Sequence, residues 1–186
     1  MIKKEDIPNL ISILRIFLSV PVVWMLLLQR FDIALILFAI AGVSDGLDGF
    51  LAKHYGWQSH LGGMLDPLAD KVLLVSSYVA LAILGLIPLL LMLLVILRDL
   101  VIVTGALVYN FRVRELEADP SMISKFNTFS QIVLVLAVVL DQGLLGLPDG
   151  LRVLLLWLVA ATTIASGANY VWVWSRRAAK FSGGEQ

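Results

Sequence analysis

Cysteine is absent from this 186-residue sequence. That excludes disulfides and thiolate metal sites. A surplus of either charge is also absent: 14 Lys and Arg balance 14 Asp and Glu, so the net charge gives no ground for a nucleic-acid partner. No internal repeat, low-complexity tract or interdomain linker interrupts the chain, and only the tail "KFSGGEQ", about 180–186, reads as disordered. The opening "MIKKEDIPNLISILRIF" has no small-residue cleavage site, so it reads as retained rather than as a signal peptide. What is abundant is apolar surface. Hydrophobic residues make up 60%, where a soluble domain has about half. The composition is that of a membrane protein.

A helix needs roughly 20 apolar residues to cross a bilayer. Six stretches qualify: about 9–29, 31–53, 62–84, 87–111, 122–142 and 150–174. The expected fold is all-α, an integral membrane protein with six transmembrane helices in a single domain over 1–186. Lys3, Lys4, Lys53, Arg112, Arg114, Lys125, Arg176, Arg177 and Lys180 fall at the N-terminus, the second and fourth loops and the C-terminus. With six spans these places share one side, which the positive-inside rule makes cytoplasmic. The expected location is a bacterial inner membrane.

Against this background stands "SDGLDGFLAKHYGWQSHLGGMLDPLADK", Ser44 to Lys71, with four aspartates. Asp45 and Asp48 are i, i+3 near the end of the second span; Asp66 and Asp70 are i, i+4 near the start of the third. Each pair shares one helix face. The short intervening loop makes the two helices antiparallel neighbours, so the pairs are expected to meet. A bare carboxylate at membrane depth costs a few kcal/mol on insertion scales, and four would repel one another. A divalent cation relieves all four. Oxygen-only ligands favour a hard ion, Mg²⁺ or Mn²⁺, with Ca²⁺ a further option, and four carboxylates have room for two ions. The structural alternatives are capping and pairing: Asp66 before Pro67 is a common helix start, and Asp45 and Asp48 have Lys53 and Lys71 nearby. Gly46, Gly49, Gly62 and Gly63 allow close helix packing or close ligand approach, with Gly49 the best placed for a ligand.

Asp45, Asp48, Gly49, Ala52, Lys53, Gly62, Asp66 and Asp70 follow the pattern Asp-x2-Asp-Gly-x2-Ala-(Arg)-x8-Gly-x3-Asp-x3-Asp. The chain thereby resembles the CDP-alcohol phosphatidyltransferases along nearly its whole length. It departs at Lys53, where the family usually has Arg; lysine meets a phosphate as a point charge without the bidentate fork. The resemblance implies a six-helix homodimer that moves a phosphatidyl group from CDP-diacylglycerol to an alcohol and releases CMP. It implies Asp45, Asp48 and Asp66 as metal ligands, and Asp70 as both a ligand and the general base. Nucleotide contacts carried over are Asp48, Gly49, Ala52, Lys53 and Gly62. Asn9, Ser12, Arg15 and Ser19 share one face of the first span; similar enzymes place an Asn-x2-Thr/Ser-x2-Arg stripe, here Asn9, Ser12 and Arg15, beside the nucleotide. The alternative is an amphipathic start with a snorkelling Arg15.

Arg98 and Asp99 lie well inside the fourth span. An arginine there needs a partner or a polar cavity: either Asp99 neutralises it, or it receives the phosphate of the acceptor alcohol. Lys125, at the start of the fifth span, is a second candidate, or a snorkelling interfacial lysine. Relatives that use glycerol 3-phosphate tend to have Arg-Glu in the fourth span, Arg eight residues on, and Gly-Lys-x-Lys-Thr at the fifth. Here those positions read Arg98-Asp99, Ala106, and Ser124-Lys125-Phe126-Asn127-Thr128. "PSMISKFNT", "RDLVIV" and "ATTIASGANYVWVW" instead resemble the eukaryotic-type cardiolipin synthase branch, whose acceptor is phosphatidylglycerol. That branch implies Arg98, Lys125 and Asn127 as acceptor contacts. The rival expectation is a glycerol-3-phosphate acceptor.

Overall fold

The computed structural model describes the backbone of residues 7–55, 60–112 and 121–182, and the side chains of residues 10–47, 68–104 and 121–172. Six helices follow one another: α1 (Ile7–Leu27), α2 (Phe31–Tyr55), α3 (His60–Ile83), α4 (Leu89–Arg112), α5 (Met122–Gly143) and α6 (Asp149–Ser182). Among the described residues there is no strand. The expected spans coincide with these helices to within about two residues, except at the end of α6. That helix continues to Ser182, past the expected end of the span near 174 and into the first residues of the tail that reads as disordered from about 180. Arg176, Arg177, Ala178, Ala179 and Lys180 explain the extension: all are good helix formers, and cations suit a helix C-terminus.

Leu10–Leu27, Met122–Gly143 and Asp149–Trp172 are long and apolar enough to cross a membrane. α2, α3 and α4 run 25, 24 and 24 residues. At about 1.5 Å per residue each exceeds the roughly 30 Å hydrocarbon core. Large apolar side chains such as Phe17, Trp24, Leu90, Phe129 and Trp157 are exposed along these helices, as lipid-facing surfaces require.

The turns are set by backbone chemistry. α1 ends in a Schellman motif: Gln29 N–H donates to the Leu26 carbonyl and Arg30 N–H to that of Met25. Gln29 takes the left-handed φ of 57° that this motif demands. α3 ends the same way, with Gly85 at φ 72° and Leu86 N–H returning to Leu81. α5 opens on Ser121, whose hydroxyl accepts from the Ser124 N–H at 3.2 Å, an N-cap. In the last turn of α5, the Asp141 carboxylate accepts from the Leu147 N–H at 2.7 Å and fastens the turn into α6.

The chain divides into two compact units. The first comprises Met1–Ile87 and Val135–Pro148. In it α1 packs along both α2 and α3. The buried face of α1 carries Ser12, Arg15, Ser19, Val22 and Leu26, steps of three and four residues. α2 answers with Phe31, Ala34, Phe38 and Ala41, and α3 with Ala69, Leu73, Ser77 and Leu81. The alanines let the helices approach closely. Gly143 lies close to α2: a Cβ there would be 3.0 Å from the Phe31 Cβ, tight enough that the neighbour would have to shift. The second unit comprises Pro88–Leu134 and Asp149–Gln186, where α4 packs on α6. Its buried stripes are Leu91, Val95 and Arg98 on α4, and Leu155, Val159, Thr163 and Ser166 on α6.

Candidate functional site

In the first unit the sequence of α2 extends its buried stripe by one further step. Phe31, Ala34, Phe38 and Ala41 are followed at the same spacing by Asp45. A helix that faces α1 along an apolar stripe therefore presents a carboxylate to α1 toward its C-terminal end. α3 does the equivalent with Asp70, one turn before Leu73 and Leu74. The α1 residue between them is Arg15. Its Nη1 donates to Oδ1 of Asp45 and to Oδ1 of Asp70. One guanidinium nitrogen thus joins three helices, and it joins the outer members of the two aspartate pairs.

Exposure differs sharply among the three. The Arg15 side chain is 1% exposed, those of Asp45 and Asp70 46% and 49%. The cation sits inside and the carboxylates are half exposed. Ser12, one turn before Arg15, is fully buried. Ser19 donates to the Ile16 carbonyl at 2.6 Å, a local bond within the helix.

Among the described residues two aspartates, not four, are seen to share this place, and no group of three or more metal-ligating side chains forms. Asp48 and Asp66 are one helical turn from Asp45 and Asp70, on α2 and α3. Their side chains lie outside the described residues, as do those of Asn9, Gly49, Ala52, Lys53 and Gly62. One alternative is removed by the backbone. α3 begins at His60, so Asp66 and Pro67 stand inside the helix and Asp66 is not its N-cap. Asp45 and Asp70 fit a hard cation on the donor chemistry seen here: carboxylate oxygens from two helices converge, half exposed, on one positive centre. Lys53 and Lys71 are not needed to explain how Asp45 is paired, since Arg15 meets it.

In the second unit Arg98 is buried, 5% exposed, on the α4 stripe. Its Nη1 donates to Asp99 Oδ1 at 2.8 Å. Its Nε and Nη2 donate to Ser166 Oγ at 3.2 and 2.6 Å, and Nη2 also donates to Ser124. The Tyr170 ring centroid is 6.0 Å from the guanidinium carbon, within cation–π reach. Of the two partners weighed for Arg98, the structure thus displays Asp99. Lys125 is exposed in the first turn of α5. Asn127 is fully buried, and its Oδ1 accepts from the Thr162 and Thr163 hydroxyls at 2.9 Å each. Its Nδ2 is buried without a hydrogen-bond partner among the described residues.

Sequence reasoning did not single out Thr162, Thr163, Ser166 or Tyr170. Their signal was a short polar run at i, i+1, i+4 and i+8 in an otherwise apolar helix. Nor did it foresee that Arg15 would bridge the aspartates.

The chain matches the model of the CDP-alcohol phosphatidyltransferase family over residues 5–165. It is 36% identical to "Cardiolipin synthase (CMP-forming)" of Rattus norvegicus, an alignment covering 92% of this chain and 62% of that protein. The Homo sapiens protein of the same name is 35% identical with the same coverage. "CDP-diacylglycerol--glycerol-3-phosphate 3-phosphatidyltransferase" of Bacillus subtilis (strain 168) is 30% identical, covering 89% of this chain and 93% of that protein. The chain spans about three fifths of the rat and human relatives. With its aspartate pattern on two long helices and a family match that runs through all but the last part of α6, this chain belongs to the CDP-alcohol phosphatidyltransferase family.

Proposed function

We propose that the chain is a divalent-metal-dependent phosphatidyltransferase that joins CDP-diacylglycerol to phosphatidylglycerol, giving cardiolipin and CMP. The observation that carries the reading is the contact of one Arg15 nitrogen with both Asp45 and Asp70. It ties the two halves of the aspartate pattern to one place. Asp45, Asp48, Asp66 and Asp70 would hold Mg²⁺ or Mn²⁺, two ions in all. Held there, such ions would supply positive charge to offset the diphosphate and the departing CMP.

The chain's own residues do the rest. Asp70, exposed on one side, takes the proton from the acceptor hydroxyl as its oxygen attacks the phosphorus that bears diacylglycerol. The bond from that phosphorus to CMP breaks, and CMP leaves with the electron pair. Positioning the acceptor hydroxyl beside Asp70 carries much of the rate. Asn9, Ser12 and Arg15, with Gly49, Ala52, Lys53 and Gly62, line the nucleotide's place. The working form is a homodimer in the membrane with the aspartates toward the cytoplasm.

The acceptor follows from charge. Arg98 is already matched by Asp99, so this stretch of the chain carries little surplus positive charge. A phosphodiester monoanion suits it better than a dianionic phosphomonoester. Arg98, Lys125 and Asn127 are the acceptor contacts on this reading. Transfer to glycerol 3-phosphate is the second reading, favoured by the near full-length match to the Bacillus subtilis relative. Replacing Asn127→Lys together with Ala106→Arg restores the two cationic positions that glycerol-3-phosphate users have. The ratio of kcat/KM for glycerol 3-phosphate over phosphatidylglycerol is expected to rise about tenfold, equivalent to about 1.4 kcal/mol. No rise, in a variant that keeps the wild-type thermal transition, contradicts the acceptor assignment.

A further inference from the structure

Arg15 presents an electrostatic conflict. Its guanidinium touches Asp45 and Asp70, the same carboxylates that the proposed function gives to the metal. An arginine cannot lose its charge by deprotonation in a protein. A divalent ion and a guanidinium on the same pair of oxygens repel each other, so strong metal binding requires Arg15 to give up part of this contact. Its helix cannot move to allow that: the face that holds Arg15 continues into Val22 and Leu26, both fully buried. The side chain itself must swing on its three methylenes. A buried cation that swings needs a new anion, and a guanidinium fork matches phosphate oxygens.

We propose that Arg15 is a positioning residue that couples metal and nucleotide binding. It clamps Asp45 to Asp70 and competes with the divalent ion for them until a nucleoside diphosphate draws the guanidinium onto its phosphates. Metal and nucleotide then bind with positive cooperativity beyond what direct metal–phosphate contact supplies. The inference rests on the aspartates being metal ligands, and the test separates the two.

Mn²⁺ affinity of the purified full chain in detergent is measured by electron paramagnetic resonance, with and without saturating CDP, correcting for the Mn–CDP complex in solution. Wild type is compared with Arg15→Gln and Arg15→Lys. The glutamine variant is expected to bind Mn²⁺ alone about tenfold more tightly than wild type, a coupling of ordinary size for linked sites. With CDP present it gains no such advantage, so its coupling is smaller. Lysine keeps the charge but not the fork, and is expected to fall between the two. Direct phosphate–metal contact contributes equally in all three, so the difference belongs to Arg15. A residue with a purely structural role would change stability and leave the coupling at its wild-type value. Mn²⁺ affinity that is unchanged or weaker in Arg15→Gln, with wild-type coupling, overturns the inference. If glutamine prevents folding, the lysine variant decides alone: affinity for Mn²⁺ raised at least about twofold supports the inference, and wild-type affinity with wild-type coupling overturns it. Asp45→Asn serves as the separate arm. Should it bind Mn²⁺ as wild type does, the metal assignment itself fails, whatever Arg15 does.

Discussion

At the scale of single residues, the proposed function rests on carboxylates that the fold holds half exposed. Asp45 and Asp70 each meet Arg15, so each retains a cationic partner in common. Replacing either by Asn removes a charge while leaving an oxygen that still accepts from Arg15. The fold should therefore survive, and activity should not. For Asp70→Asn the expected loss is at least about a hundredfold in CMP release, the lower bound of what a general base contributes. A metal-dependent CMP-release assay on the variant, beside its thermal transition, checks this; activity within a few fold of wild type contradicts the role given to Asp70. The spacing of the four aspartates was legible because it is local to two helices. The Arg15 bridge was not, since an arginine at i+6 of a polar stripe says nothing about which other helices pack beside it. Arg98 was legible as a buried cation that needs an answer, and Asp99 as one candidate, but the Ser166 contact depends on the packing of α4 on α6, which local spacing does not encode.

At the scale of elements, the helices end where backbone geometry tells them to. Gln29 and Gly85 occupy equivalent left-handed positions after α1 and α3. Glutamine suffers there from its Cβ, and glycine does not. Gln29→Gly is expected to stabilise the protein by about 1 kcal/mol, and Gly85→Ala to destabilise it by a similar amount. Thermal unfolding in detergent measures both; equal transitions for all three proteins contradict the account of these turns. The helix lengths were readable because runs of about 20 apolar residues admit little else in a membrane. One boundary was not: the end of α6 runs on because its last residues include helix-forming alanines and cations rather than breakers. Asp66–Pro67 offers a local start signal, yet α3 begins at His60, within two residues of the expected span, so the helix runs through that proline.

At the scale of the whole molecule, the exposed apolar side chains and the family membership make this an integral membrane protein. The family was legible from eight positions between Asp45 and Asp70. The acceptor is a finer matter. Proteins named for cardiolipin synthesis and for transfer to glycerol 3-phosphate both align with about nine tenths of this chain, so the shared aspartate pattern does not distinguish them. What distinguishes them on the present account is charge near Arg98, where Asp99 offsets the guanidinium and neutral residues stand at 106 and 127. The direct measurement uses the purified protein in mixed micelles with CDP-diacylglycerol and Mg²⁺ or Mn²⁺. Phosphatidylglycerol, glycerol 3-phosphate and inositol are offered separately, and the lipid product is identified by mass spectrometry. Cardiolipin is the expected product, with phosphatidylglycerol as the acceptor that reacts. Phosphatidylglycerolphosphate from glycerol 3-phosphate, with no cardiolipin, would contradict it.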